Sequence, residues 1–149
     1  MNKSRIFAFL TLLFLSFSAL SAQHFVSDFA DAQAKAKSSD KPLVILFSGS
    51  DWCRPCIQLH NLVYKNESFQ EYANENLVIY LADFPRRPEN QLPADVKATN
   101  DQLAQQYGLR GVPTTLVLSS EGEVLGKMVG NPDGTYDGYV NKLKGFVSQ

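Results

Sequence analysis

The chain has 149 residues, a formal net charge of −1 and two cysteines. That length suits one domain of ordinary size, and no internal repeat or low-complexity linker divides it. A charge so close to zero is no electrostatic footprint for nucleic acid, and it gives no reason to expect binding to anionic lipid.

Lys3 and Arg5 open the chain, an apolar run follows from Ile6 to Leu20, and small residues stand at Ala19, Ser21 and Ala22. This is the pattern of a secretory signal peptide over residues 1–22, cut near Ser21 or Ala22. The run is short for a membrane span, which needs about 20 apolar residues; an uncleaved anchor is the alternative. Removing the segment takes two positive charges with it and leaves residues 23–149 at a formal charge of −3. The expected product is an exported, periplasmic or extracellular monomer without a membrane span, in an oxidising compartment.

In chain order, "DFADAQAKAKSSDK" (28–41) has alanines and charges at helical density and stops before Pro42. "PLVILF" (42–47) is a continuous apolar run that predicts a strand covered on both faces. "SGSDW" turns the chain into the cysteines, and Ile57, Leu59, Leu62 and Val63 suit a helix from Arg54 to about Lys65. "NLVIYLADF" (76–84) reads as a second buried strand, and "DQLAQQYG" (101–108) as a helix closed by glycine. "TTLVLSSEGEVLGKMVG" (114–130) gives two strand-like runs around Glu121-Gly122, a hairpin signal. Tyr136, Tyr139, Val140, Leu143, Phe146 and Val147 then form one apolar helix face. Leading strands that alternate with helices should be parallel, and the hairpin adds antiparallel edges. The expected fold is α/β, a mixed central sheet with helices on both faces.

The cysteines lie three positions apart in "SDWCRPCIQ" (50–58). As a structural staple the pair is weak, because so small a loop removes unfolded-state entropy worth only about 2 kcal/mol. As a metal site Cys53, Cys56 and His60 supply three ligands where a closed zinc site takes four, so no metal is expected and His60 reads as a solvated helix residue. A redox pair explains more. A helix starting at the cysteines puts Cys53 at unpaired N–H groups and the positive dipole end, where a thiolate is stabilised. Arg54 adds a cation, and Pro55 is tolerated in a first turn. Cys56, one turn deeper, is the shielded partner: Cys53 attacks and Cys56 resolves. Val112-Pro113 precedes a predicted strand, a position that can hold a cis bond.

The set "DWCRPC", "YGLRGVPT", "SSEGEVLGKMVG" and the final amphipathic helix resembles the thioredoxin family across nearly all of residues 23–149. "DFPRRPEN" and the Gly-Val-Pro-Thr segment look most like its small secreted bacterial members. The resemblance implies the thioredoxin fold and an active-site motif of Trp52, Cys53, Arg54, Pro55 and Cys56. It also implies a cis Pro113 beside the cysteines and a substrate-facing wall at Val112 and Pro113, flanked by Gly111 and Gly130. The activity implied is thiol–disulfide oxidoreduction on protein thiols and disulfides. It needs no cofactor beyond the Cys53–Cys56 disulfide, and it exchanges electrons with an unidentified donor or acceptor. A groove used without turnover, as in a binding or chaperone-like module, is the alternative, as is a weak metal-binding protein.

Three departures from the family stand out. Phe47 occupies the place of thioredoxin's buried aspartate, and Ile79, aligned on Asp83, that of its lysine partner; losing both together is coherent, since a lone buried charge is costly. Water or Asp51 would then receive the resolving thiol's proton. Arg54 replaces the usual glycine. The connection "FPRRPENQLPADVKATN" (84–100) is longer than usual and is expected to be a solvated loop, wider contact with partners being the alternative, with Arg86 and Arg87 a solvated pair. "NES" (66–68) is read as a chance glycosylation pattern, and Tyr64, Tyr72 and Tyr80 as packing residues.

Overall fold

The apolar run after Pro42 forms β1 (Leu43–Ser48), and every residue in it is buried. The computed structural model describes residues 25–148, so the expected signal peptide and His24 lie outside the described residues. Alternation along β1 sends Leu43, Ile45 and Phe47 to one face and Val44 and Leu46 to the other, which is why the run needs cover on both sides.

The sheet has the order β2-β1-β3-β4. β2 (Val78–Asp83) runs parallel to β1, with Ser48 level with Asp83. β3 (Thr114–Leu118) and β4 (Val124–Val129) form the expected hairpin, antiparallel to each other, and β3 is antiparallel to β1. Gly122 turns the hairpin at φ 93°, a backbone that favours glycine. Val26 covers the β2 edge by donating its N–H to Ile79 O at 2.9 Å.

One face carries α2 (Arg54–Leu59), α3 (Glu67–Asn76) and α5 (Tyr136–Val147), and the other α1 (Phe29–Ser39) and α4 (Ala94–Gln106). Asp28 caps α1 by accepting the Asp31 N–H, and Thr135 caps α5 by accepting that of Gly138. Lys127 on β4 donates to Tyr107 O and Gly108 O and so caps the C-terminal end of α4. No helix among the described residues is long and apolar enough to cross a membrane.

Two expectations change, and one helix had no counterpart in the sequence reading. The single helix from Arg54 to Lys65 is α2 followed by a π-helical turn (His60–Tyr64), whose phase shift buries Leu59, Val63 and Tyr64 together. Of the four apolar residues that suited that helix, Ile57 and Leu62 are 40% and 39% exposed. The sequence around "NES" opens α3, and the Asn66 amide oxygen accepts from Ser68 N and Phe69 N as its cap. The connection after β2 is not one long loop: a 3₁₀ turn at Pro88–Asn90 precedes α4, which begins at Ala94 rather than Asp101.

Candidate active site

Parallel pairing of β1 and β2 brings two loops side by side at one end of the sheet. The loop after β1 folds so that Cys53 N donates to Gly49 O at 2.9 Å. Asp83, at the end of β2, accepts from the Ser50 N–H at 2.8 Å and from the Ser50 hydroxyl. Phe84 O accepts from Trp52 Nε1 at 2.7 Å. In return Asp51 takes the Arg86 and Arg87 N–H groups at 3.0 and 2.9 Å and the Asn90 amide at 3.1 Å. Each loop holds the other.

The clasp settles what Asp51 can do. The Arg86 N–H first, joined by the Arg87 N–H, the Asn90 amide and the charge of Arg87, outweighs desolvation and holds its carboxyl below the usual carboxylate range. A carboxylate occupied by three donors is a poor proton acceptor, so the expected base role for Asp51 does not stand. Arg86 is not merely solvated either: its guanidinium lies 3.6 Å over the Trp52 ring. The ring also packs on Gly49, where an added Cβ would come within 2.5 Å of the indole.

Cys53 is the N-cap of α2, and Cys56 N donates to its sulfur at 3.2 Å. Pro55 lies in the first turn and Arg54 is exposed beside it. Cys53 and Cys56 form a disulfide, and their residues are 5% and 3% exposed, so exposure separates them little in the oxidised form. The Val112–Pro113 bond is cis, and Val112 O lies 3.7 Å from Cys53 Sγ. Gly111 O accepts from the Thr114 hydroxyl, and Gly130, at φ 69°, donates its N–H to Pro113 O at 2.8 Å. Val112 therefore lies beside the Cys53 sulfur, next to the cis Pro113 to which Gly130 is bonded, while Arg54 and Pro55 stand between the cysteines in the chain.

Phe47 is buried in the core of the α1/α4 face, with Ile45, Tyr80 and Leu116 in the same cluster. Ile79 belongs to the opposite face, so it does not face Phe47; Tyr80 does. The Tyr80 hydroxyl donates to Asn100 Oδ1 at 2.7 Å, and Asn100 Nδ2 donates to Asp83 O at 3.0 Å. Asn100 was not singled out from the sequence, although its place between Val96 and Leu103 on one helical stripe marks it as a polar residue turned inward. On the other face Cys56 borders a cavity of about 260 Å³ with Ser48, His60 and Lys65. His60 is half-buried and stacked with Phe25 and Tyr64 rather than solvated. Burial, and then the charge of Lys65, keep its pKa below the usual histidine range.

A disulfide at a helix N-terminus facing a cis-proline loop, on a β2-β1-β3-β4 sheet, defines a thiol–disulfide oxidoreductase of thioredoxin fold. The profile of the thioredoxin-like domain family matches residues 29–142. The chain belongs to that family. It is 32% identical over 116 residues to the disulfide bond reductase DsbH of Chlamydia pneumoniae, covering 78% of this chain and 68% of that protein. It is 28% identical to thioredoxin 2 of Chlorobaculum tepidum, over 74% of this chain and 85% of the other. Among solved structures, a DsbH oxidoreductase superposes with a TM-score of 0.76 at 30% identity, over 86% of each chain.

Proposed function

We propose that this chain is an exported protein-disulfide reductase in which Cys53 attacks and Cys56 resolves. The observation that carries the reading is the Cys53 sulfur at the α2 N-cap, 3.2 Å from the Cys56 N–H and 3.7 Å from Val112 O. In the dithiol form that N–H and the dipole end of the helix favour a thiolate at Cys53. The thiolate attacks one sulfur of a protein disulfide; a mixed disulfide forms, and the other substrate sulfur leaves as a thiolate that is protonated from solvent. Cys56 then loses its proton, attacks Cys53 Sγ, and expels the second substrate thiolate. Two electrons have passed to the substrate, and a separate dithiol donor must return them. The wall at Val112 and Pro113 receives the substrate backbone as an added strand. The reductase direction is supported by the reductase named among the relatives, and export by the signal-like residues 1–22.

Insulin reduction by dithiothreitol tests the activity: the protein should accelerate precipitation, and Cys53→Ser should abolish the acceleration. Cys56→Ser should hold substrate as a mixed disulfide, since no internal thiol remains to release it. No acceleration and no captured partner would overturn the reading in favour of a binding module. Mass spectrometry of the extracytoplasmic protein should find a new N-terminus near Ala22 or Gln23; intact Met1 in a membrane fraction would make it an anchored protein instead.

A further inference from the structure

Strand order puts Cys53, at the end of β1, between two different flanks. On the β3 side stands the Val112–Pro113 wall. On the β2 side stands the 84–97 connection, which surrounds a pocket of about 290 Å³. That is just below the range of ordinary ligand pockets and suits one side chain better than a cofactor. Trp52, Phe84, Pro85 and Leu92 give it apolar walls, and Arg86 and Lys97 border it with positive charge. Asp83 also lines it, but its two oxygens are occupied by Ser50.

The two cations differ. Lys97 is ion-paired with Asp101 at 2.7 Å. Arg86 has no carboxylate within ion-pair distance among the described residues, and its guanidinium carbon lies 3.6 Å from the centre of the Trp52 ring. The backbone beneath it is fixed by Asp51, and Gln91 Nε2 ties the loop again through Pro85 O and Arg87 O. Little ordering remains to be done on binding, so a partner's contact energy is not spent on it. The four arginines of residues 25–148 (Arg54, Arg86, Arg87 and Arg110) are all exposed, and the carboxylates nearest Arg86, Asp51 and Asp83, are already occupied by donors. The whole chain nevertheless has a net charge of −1.

Resting on the redox reading above, we propose that the 84–97 connection is a second recognition flank, selecting protein disulfides whose reactive cysteine has an acidic and an apolar side chain close beside it. The carboxylate pairs with the Arg86 guanidinium, for which a planar two-oxygen partner is the natural fit. The apolar side chain enters the pocket along Trp52, Phe84 and Leu92. The opposite flank reads backbone at Val112; this flank reads side chains.

The test uses reduced full-length protein and peptides whose single cysteine is joined by a disulfide to 2-mercaptoethanol. Each turnover oxidises Cys53 and Cys56 to their disulfide and releases the peptide thiol and 2-mercaptoethanol, so the electrons balance. Peptides carry Glu-Leu, Gln-Leu, Lys-Leu or Glu-Gly on one side of the cysteine, in series for each side. In one series Glu-Leu should react about tenfold faster than Gln-Leu and faster still than Lys-Leu, with the advantage shrinking as salt rises. Glu-Gly should lose several-fold. Arg86→Glu should invert the order of the Glu and Lys peptides, which a merely structural role for Arg86 would not do. Equal rates for all peptides, while the same protein still reduces bis(2-hydroxyethyl) disulfide, would overturn the flank and leave the redox reading standing. Inversion of the same size by Arg110→Glu, on the other flank, would reassign the preference to the general field and overturn the flank too. Failure to reduce even the neutral disulfide would overturn the redox reading and the flank with it.

Discussion

On the face that carries α2, α3 and α5 the core is tied together by buried hydroxyls, whereas the face that carries α1 and α4 is crossed by a polar line that runs out to the loops. On the first, the Tyr139 hydroxyl meets those of Tyr64 and Thr115 at 2.7 Å each, fully buried. Burial pushes the Tyr139 pKa up to about 12 and raises that of Tyr64 well above the usual tyrosine range, so the network stays neutral at any working pH. It joins α5, β3 and the turn after α2, and so sets the position of the helix that holds the cysteines. On the second face the line from Tyr80 through Asn100 to Asp83 ends at Ser50 and sets the loops instead. One core positions the sulfurs, and the other positions what surrounds them.

The most severe way to break this division is to place a carboxylate in the core of the α1/α4 face. Phe47→Asp removes a buried aromatic, worth about 3–5 kcal/mol, and leaves an acid with no cation among its apolar neighbours. Denaturant unfolding at neutral pH should show a loss of at least about 4 kcal/mol. A loss below about 1 kcal/mol would mean that this face relaxes far more than its packing implies.

Two milder substitutions separate the faces. Tyr139→Phe strands the hydroxyls of Tyr64 and Thr115, and Asn100→Ala strands those of Tyr80 and the Asp83 carbonyl; each should cost about 1–3 kcal/mol. Their local effects should differ. Amide exchange at Ser50, Arg86 and Arg87 should accelerate in Asn100→Ala and stay near wild type in Tyr139→Phe. The same exchange pattern in both would show that the loops are not governed from the α4 side.

The smallest effect is a pH dependence on the α2 side. His60 has a folded pKa below the 6.5 of a free histidine. The unfolded chain therefore takes up a proton first as pH falls, and stability present above 6.5 is lost on passing down to the folded value. Between about pH 7.5 and 5.5 the wild type should lose slightly more stability than His60→Gln. Identical slopes would mean that the ring titrates as in water.

Much of this organisation was legible in the sequence. The β1 and β2 runs, the Glu121-Gly122 hairpin and the last helix follow from periods and turn residues, because these are local properties of the backbone. The cysteines and Pro113 were legible through spacing and resemblance. The π-helical turn after α2 and the early start of α4 were not, since Ile57, Leu62 and the polar "ADVKATN" stretch carry no pattern that outweighs tertiary packing.

The sequence by itself determined a mixed sheet with a cysteine pair at a helix start, because strand, turn and cap preferences act over a few residues. Only the tertiary structure decided which groups the site can use. Asp51 stands next to Trp52 in sequence as a candidate base, yet it is occupied by donors that lie 35, 36 and 39 positions away. Phe47 and Ile79 seem a matched pair by alignment, yet strand register sends them to opposite faces of the sheet. Arg86 reads as one more solvated charge until the fold lays it on Trp52. Hydrogen bonds and ring contacts of this kind depend on which loops the parallel pairing of β1 and β2 brings together, and no local pattern in the chain encodes that distance.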